Sequence, residues 1–220
     1  MSFIINIDII YKTLKKELQG YPIPLAEQIQ SKYKDAFFVL ISTILSARTK
    51  DTTTLKVCDK LFSKIKSFSD IERTSQKNLE ELIYPVGFYK TKAKHLKALP
   101  IEIKNLFNGR IPSTIEELIK LPGVGRKTAN LIISVCFNKP AICVDTHVHR
   151  ITNRIGFVQT SDTLKTEMEL RKKLPQKYWS DTNYLLVILG QNICLPRNPK
   201  CKVCPINKYC KKIGISKSSF

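Results

Sequence analysis

Leu121-Pro122-Gly123-Val124-Gly125-Arg126-Lys127 separates two segments with helix-like apolar spacing, Ile115 to Leu121 and Thr128 to Phe137, and so predicts two helices joined by a tight hairpin. Glycine tolerates positive φ and has no Cβ. The N–H groups of such a turn, and of the first residues of the next helix, can therefore approach an anion closely. A helix N-terminus of this kind suits phosphate. No acidic residue lies between Glu117 and Asp145, whereas Arg126, Lys127 and Lys139 do, so the expected anion is a nucleic-acid backbone.

The composition points the same way. Lys and Arg number 37 against 18 Asp and Glu, a formal net charge of +19, which is the electrostatic footprint of a nucleic-acid binder. No acidic residue follows Asp181, yet Arg197, Lys200, Lys202, Lys208, Lys211, Lys212 and Lys217 do. At 220 residues and 43% hydrophobic content the chain can bury one large core or two small ones. No apolar run approaches the ~20 residues that span a bilayer, and Met1-Ser2-Phe3-Ile4-Ile5-Asn6 lacks the features of a signal peptide, so an intracellular protein with no membrane partner is expected.

In such a compartment an odd total of seven cysteines argues for metal ligation rather than a disulfide framework. Four fall in one stretch, Cys194-x6-Cys201-x2-Cys204-x5-Cys210, while Cys58, Cys136 and Cys143 sit among apolar residues and read as packing thiols. A tetrahedral set of sulfurs suits zinc or an iron–sulfur cluster, and the single close pair with a long arm on either side leans only slightly to the cluster. Arg197 and Lys200 within the loop read equally as phosphate contacts or as solvated charge.

Nearly every other signal is helical. Ile5 to Leu18, Asp35 to Leu45, Asp51 to Ile65, Asn78 to Ile83, Lys90 to Phe107, Thr146 to Ile155, Thr163 to Leu174 and Trp179 to Cys194 carry helical apolar spacing, as do the two hairpin segments. Ser113-Thr114-Ile115-Glu116 has the form of a capping box. The break at Asn138-Lys139-Pro140 is the expected seam between two modules.

Lys127 opens the second hairpin helix, and an amine beside a DNA site becomes a nucleophile when its pKa is lowered; a further phosphate-binding lysine is the plain alternative. Asp145, in Val144-Asp145-Thr146-His147, stands where an N-cap is expected, and its carboxylate could also stabilise positive charge on a sugar.

These residues together resemble the endonuclease III branch of the helix-hairpin-helix DNA glycosylases. The resemblance spans almost the whole chain and rests on Leu121 to Lys127 with Val144 to His147 and on the cysteine loop. It implies an all-α protein: a six-helix barrel module carrying the helix-hairpin-helix over 28–138, a helical iron–sulfur module over 1–27 and 139–220, and a DNA groove between them. It implies a [4Fe-4S] cluster on Cys194, Cys201, Cys204 and Cys210. It implies excision of oxidised pyrimidines of the thymine glycol type from double-stranded DNA and cleavage 3′ to the abasic site by β-elimination. In that scheme Lys127 forms the Schiff base and Asp145 assists, Gly123, Val124, Gly125 and Arg126 hold a phosphate, and a monomer working on the nucleoid is expected.

Two positions depart from the family. Arg48, in Leu45-Ser46-Ala47-Arg48-Thr49-Lys50-Asp51, stands where bacterial members usually carry the glutamine that fills the gap left by the flipped base. Phe88 replaces a leucine wedge. Arginine can stack in the gap and phenylalanine can intercalate, so both remain DNA-contact candidates beside a surface ion pair for Arg48 and a core contact for Phe88. The rival functions are a mismatch glycosylase, which usually lacks the lysine, and a non-enzymatic DNA-binding module.

Overall fold

The computed structural model describes residues 5–216, and the expected basic tail residue Lys217 and the N-terminal Met1 to Ile4 lie outside them. The described residues carry twelve α-helices and no strand. They divide into two compact units, one formed by Leu25–Lys139 and the other by the described residues up to Pro24 together with those from Pro140 onward.

The first unit is organised by its most apolar helix. α3 (Ala36–Ser46) is capped by the Asp35 carboxylate, which accepts from Phe37 N at 2.8 Å, and residues 39–45 are all buried. A helix apolar on every side needs neighbours all round. It has them in α2 (Leu25–Tyr33), α4 (Asp51–Phe62), α7 (Tyr89–Phe107) and α9 (Arg126–Phe137). α5 (Phe68–Arg73) and α6 (Gln76–Ile83) pack on α7, and α8 (Ile115–Leu118) packs on α9. With the short α5 and α8 set aside, six longer helices remain, in agreement with the expected six-helix module.

The second unit joins α1 (Ile7–Glu17) to α10 (Thr146–Ile155), α11 (Thr163–Lys173) and α12 (Trp179–Asn192). Val148, Ile151 and Ile155 recur at helical spacing on α10 and meet Leu185, Ile188 and Leu189 of α12 and Ile10 and Leu14 of α1 in a single apolar cluster. Two short 3-10 turns, Cys201–Val203 and Asn207–Tyr209, shape the cysteine loop. Among the described residues no helix is long and apolar enough to cross a membrane.

Three readings of the sequence need correction. The capping box is displaced by one residue: Thr114 is the N-cap of α8, its hydroxyl accepting from Glu117 N at 3.3 Å and donating to Glu117 Oε2 at 2.7 Å, while Ser113 receives Lys139 Nζ. α2 and α5 escaped notice because α2 buries only Leu25, Ala26 and Ile29, and α5 only Ile71. Cys136 is half-buried, whereas Cys58 and Cys143 are core residues as expected.

Glu27 of α2 is a cost the fold tolerates. Its Oε2 is buried without a hydrogen-bond partner, and burial, reinforced by the charge of Asp51, pushes its carboxyl up to about 7. The unfolded carboxyl ionises near 4.5. Above that pH the unfolded chain gives up a proton that the folded one keeps, so stability falls as pH rises towards 7 and levels off beyond it. Glu27→Gln removes that dependence. At pH 8 it is expected to raise stability by about 2 kcal/mol, on the basis of ~1.4 kcal/mol per pKa unit with allowance for the buried amide. At pH 4.5 no gain is expected, and thermal melts at the two pH values check the contrast.

Candidate nucleic-acid interface

The hairpin expected from Leu121 to Lys127 is present. Val124 N donates to Leu121 O at 3.1 Å, closing the turn, and Gly123 takes φ +78°. Val124 is buried and anchors the turn, while Gly123, Gly125 and Lys127 are exposed and Arg126 is half-buried. Gly125 is the N-cap of α9 and brings no capping side chain, and Lys127 stands in the first turn that follows. Helix partial charge and cationic side chains reinforce each other there.

Gly123 is required twice over. Its φ suits glycine, and a Cβ would lie 2.9 Å from Nδ1 of the half-buried His95 on α7. Gly123→Ala is expected to cost about 1–3 kcal/mol in a thermal melt. Gly125→Ala, with φ −92° and nothing within 4 Å of the added methyl, is expected to keep wild-type stability and to lose duplex affinity, because the methyl stands where a phosphate would approach.

Asp145 belongs to the other unit and is the N-cap of α10. Its Oδ1 accepts from His147 N and from Val148 N, each at 2.8 Å. The carboxylate is half-buried and held by main-chain donors, which fixes its position.

Arg48 and Phe88, forty residues apart, are brought together. The Arg48 guanidinium lies 5.6 Å from the centroid of the Phe88 ring, and Phe88 is 63% exposed, so Phe88 is not a core residue. Both adopt left-handed backbone conformations, φ +55° and +57°. Their loops are fastened by Gly87 N, which donates to Thr49 Oγ1 at 3.0 Å.

The four clustered cysteines line one recess with Ile151, Ile155, Leu189, Ile193 and Ile206, and Lys200 stands at it as well. Arg197 and Lys200 are exposed. Burial pushes the Cys204 thiol up to about 11, and the charges of Cys194, Cys210 and Cys201 add to the shift. Among the described residues no group of three or more His, Cys, Asp or Glu is placed to hold a single metal ion.

Two arginines that the sequence reading missed hold this loop to α10. Buried Arg154 donates to Leu195 O at 2.6 Å, to Pro196 O at 2.8 Å and to Cys194 Sγ at 3.4 Å. Arg150 donates to Cys194 O at 2.8 Å and to Gly190 O at 3.1 Å. The helix that Asp145 caps is therefore the one that carries the cysteine loop. Their i, i+4 spacing on a helix with an apolar face was the available signal, but an outward basic stripe has the same pattern.

The profile described as HhH-GPD superfamily base excision DNA repair protein matches residues 41–176. Endonuclease III of Thermotoga maritima is 43% identical over 180 residues, 82% of this chain and 84% of the relative. Among solved structures, a non-covalent endonuclease III–DNA complex matches with a TM-score of 0.83 and 33% identity, covering 94% of each chain. A trapped endonuclease III–DNA covalent intermediate, an estranged-adenine complex, matches with a TM-score of 0.78 and 32% identity over 95% of this chain and 97% of that one.

Proposed function

We infer the reaction from kinship: this chain belongs to the HhH-GPD superfamily of base excision DNA repair proteins and, within it, to the endonuclease III family. It is a DNA glycosylase and abasic-site lyase of base excision repair, and it binds DNA. The observation that carries the assignment of its chemistry is the exposed Lys127 in the first turn of α9, a helix whose N-cap is a glycine. A covalent link to DNA needs a nucleophile, and an amine is the group that gives both base loss and strand scission.

The backbone N–H groups of Gly123, Val124 and Gly125, with Arg126, hold a phosphate of the damaged strand. The lesion is an oxidised pyrimidine of the thymine glycol type in duplex DNA, flipped out so that its sugar is reachable. The Lys127 amine attacks C1′, and the glycosidic electron pair leaves with the base, which takes up a proton. The nitrogen lone pair then forms the C1′=N bond of an imine as the C1′–O4′ bond breaks and O4′ takes up a proton, which opens the sugar. Loss of a C2′ proton allows the C3′–O bond to break, the phosphate leaving with its electron pair, and water releases the enzyme. Asp145 takes the proton from the ammonium and offsets the positive charge that develops on the sugar. Arg48 and Phe88 enter the gap in the duplex.

Iron–sulfur centres are general in this family, and here Cys194, Cys201, Cys204 and Cys210 would hold a [4Fe-4S] cluster. The donor set fits, since the four cysteines line one recess and a cubane cluster needs one thiolate for each of its four irons. When bound there, the cluster would supply a rigid core to the loop on which Arg197 and Lys200 stand ready to meet DNA. The enzyme works as a monomer on chromosomal DNA within the cell.

The test is product analysis on a duplex carrying thymine glycol. Base release accompanied by a strand break that leaves an unsaturated aldehyde on the 3′ end is expected. Base release with an intact alkali-labile abasic site would make the protein a monofunctional glycosylase instead.

A further inference from the structure

Among the many lysines of α7, Lys92 is the one that is enclosed, at 5% exposure. Its Nζ donates to Leu45 O at 2.7 Å, to Ala47 O at 2.6 Å and to Thr49 Oγ1 at 3.2 Å. These are neutral oxygens, and two of them are carbonyls at the C-terminal end of α3, where the helix partial charge is negative and a cation is favoured. Burial pushes the ammonium down to about 8, so the charge is retained at neutral pH at some cost. Hydrophobic residues fill such a position at less cost unless the charge has work to do.

The contacts show what that work is. Leu45, Ala47 and Thr49 bracket Arg48, whose φ of +55° is a strained conformation for a residue that carries a Cβ and persists only where its surroundings impose it. In the second loop Phe88 is strained in the same sense, and Lys92 N closes the first turn of α7 on Phe88 O at 3.0 Å, a helical bond that any residue at this position makes. Thr49 Oγ1 closes the circuit by accepting from both Lys92 Nζ and Gly87 N. Gly87 leaves no slack, since a Cβ there would lie 2.9 Å from Arg48 O. The Lys92 ammonium thus fastens the loop of Arg48 directly and the loop of Phe88 through Thr49 Oγ1.

We propose that Lys92 is the positioning residue for nucleotide extrusion, its ammonium holding the loop of Arg48 and, through Thr49 and Gly87, the loop of Phe88 in the pose that fills the gap left by the flipped base. The proposal rests on the reading of the protein as a glycosylase whose Arg48 and Phe88 enter the duplex. It assigns Lys92 no contact with the reacting atoms. Its loss therefore impairs the step that opens the duplex and spares the chemistry at the sugar.

The experiment compares wild type, Lys92→Met and Lys92→Arg on two substrates. One is a duplex with thymine glycol, assayed under single turnover with 2-aminopurine beside the lesion to report unstacking. The other is a single strand with an abasic site, where no duplex has to be opened. For Lys92→Met, duplex excision is expected to fall roughly 10–100-fold, in line with the effect of small misplacements of positioning groups. The 2-aminopurine rise should slow with it, and single-strand cleavage should stay within about twofold of wild type because extrusion is bypassed. Lys92→Arg, which keeps the donors, is expected to recover most of the duplex rate. Gly87→Ala, which forces the two loops apart without touching Lys92, should reproduce the duplex defect and serves as the second variant if Lys92→Met does not fold. A wild-type duplex rate in folded Lys92→Met, or equal losses on both substrates, would overturn the proposal, as would a wild-type duplex rate in Gly87→Ala where Lys92→Met does not fold. A wild-type protein inactive on both substrates would overturn the glycosylase reading itself, and the proposal with it.

Discussion

Lys127→Ala is expected to bind lesion-bearing duplex with near wild-type affinity while its base release and strand cleavage fall by 10³-fold or more, the scale on which removal of a covalent nucleophile acts. The fold should not notice the change. Lys127 is exposed in the first turn of α9, and alanine is the better helix former, so the stability difference is expected within ~0.5 kcal/mol. Lys127→Arg refines the test, because it keeps the positive charge beside the phosphate site but cannot form an imine. If Lys127 served only as a phosphate contact, the arginine variant would keep most of its activity; if it is the nucleophile, arginine should be as inactive as alanine. Single-turnover product analysis on a thymine glycol duplex decides between them.

The second large effect concerns Asp145, whose two possible roles can be separated by choice of substitution. Its Oδ1 caps α10 through His147 N and Val148 N. Asparagine caps a helix about as well as aspartate, so Asp145→Asn should melt close to wild type, whereas Asp145→Ala should lose about 0.5–2 kcal/mol of stability. Both variants lose the charge. If the carboxylate accepts the lysine proton and faces the cationic sugar, both should lose activity to a similar extent, roughly 10²-fold or more as for other positioned acid–base groups. Capping alone would leave Asp145→Asn active and Asp145→Ala partly impaired in proportion to its stability.

These tests fall on residues that were legible in the sequence for a physical reason. A turn with Pro-Gly-Val-Gly between two apolar-periodic segments has few conformations open to it, and α9 and α10 begin and end where their apolar patterns do. Chemistry concentrated in one short stretch, as in the cysteine loop, is likewise visible without a fold. What the sequence conceals is which of several similar residues is buried. Lys90, Lys92, Lys94 and Lys97 read alike along α7, and only the packing of α7 against α3 encloses Lys92. Arg150 and Arg154 were hidden in the same way, since their partners lie about forty residues further on. The contact between Arg48 and Phe88 is equally non-local: each was singled out from its family position, but their stacking depends on how two loops meet. α2 went unseen because three buried residues in nine are too few to set a period.

The most direct test of the central claim is to locate the covalent bond. Wild-type protein is incubated with a duplex carrying an abasic site in the presence of borohydride, the adduct is digested with nuclease and protease, and the modified peptide is sequenced by mass spectrometry. The account predicts one sugar-derived mass increment, on Lys127. An increment on any other amine, or no adduct from a protein that binds the duplex, would contradict it.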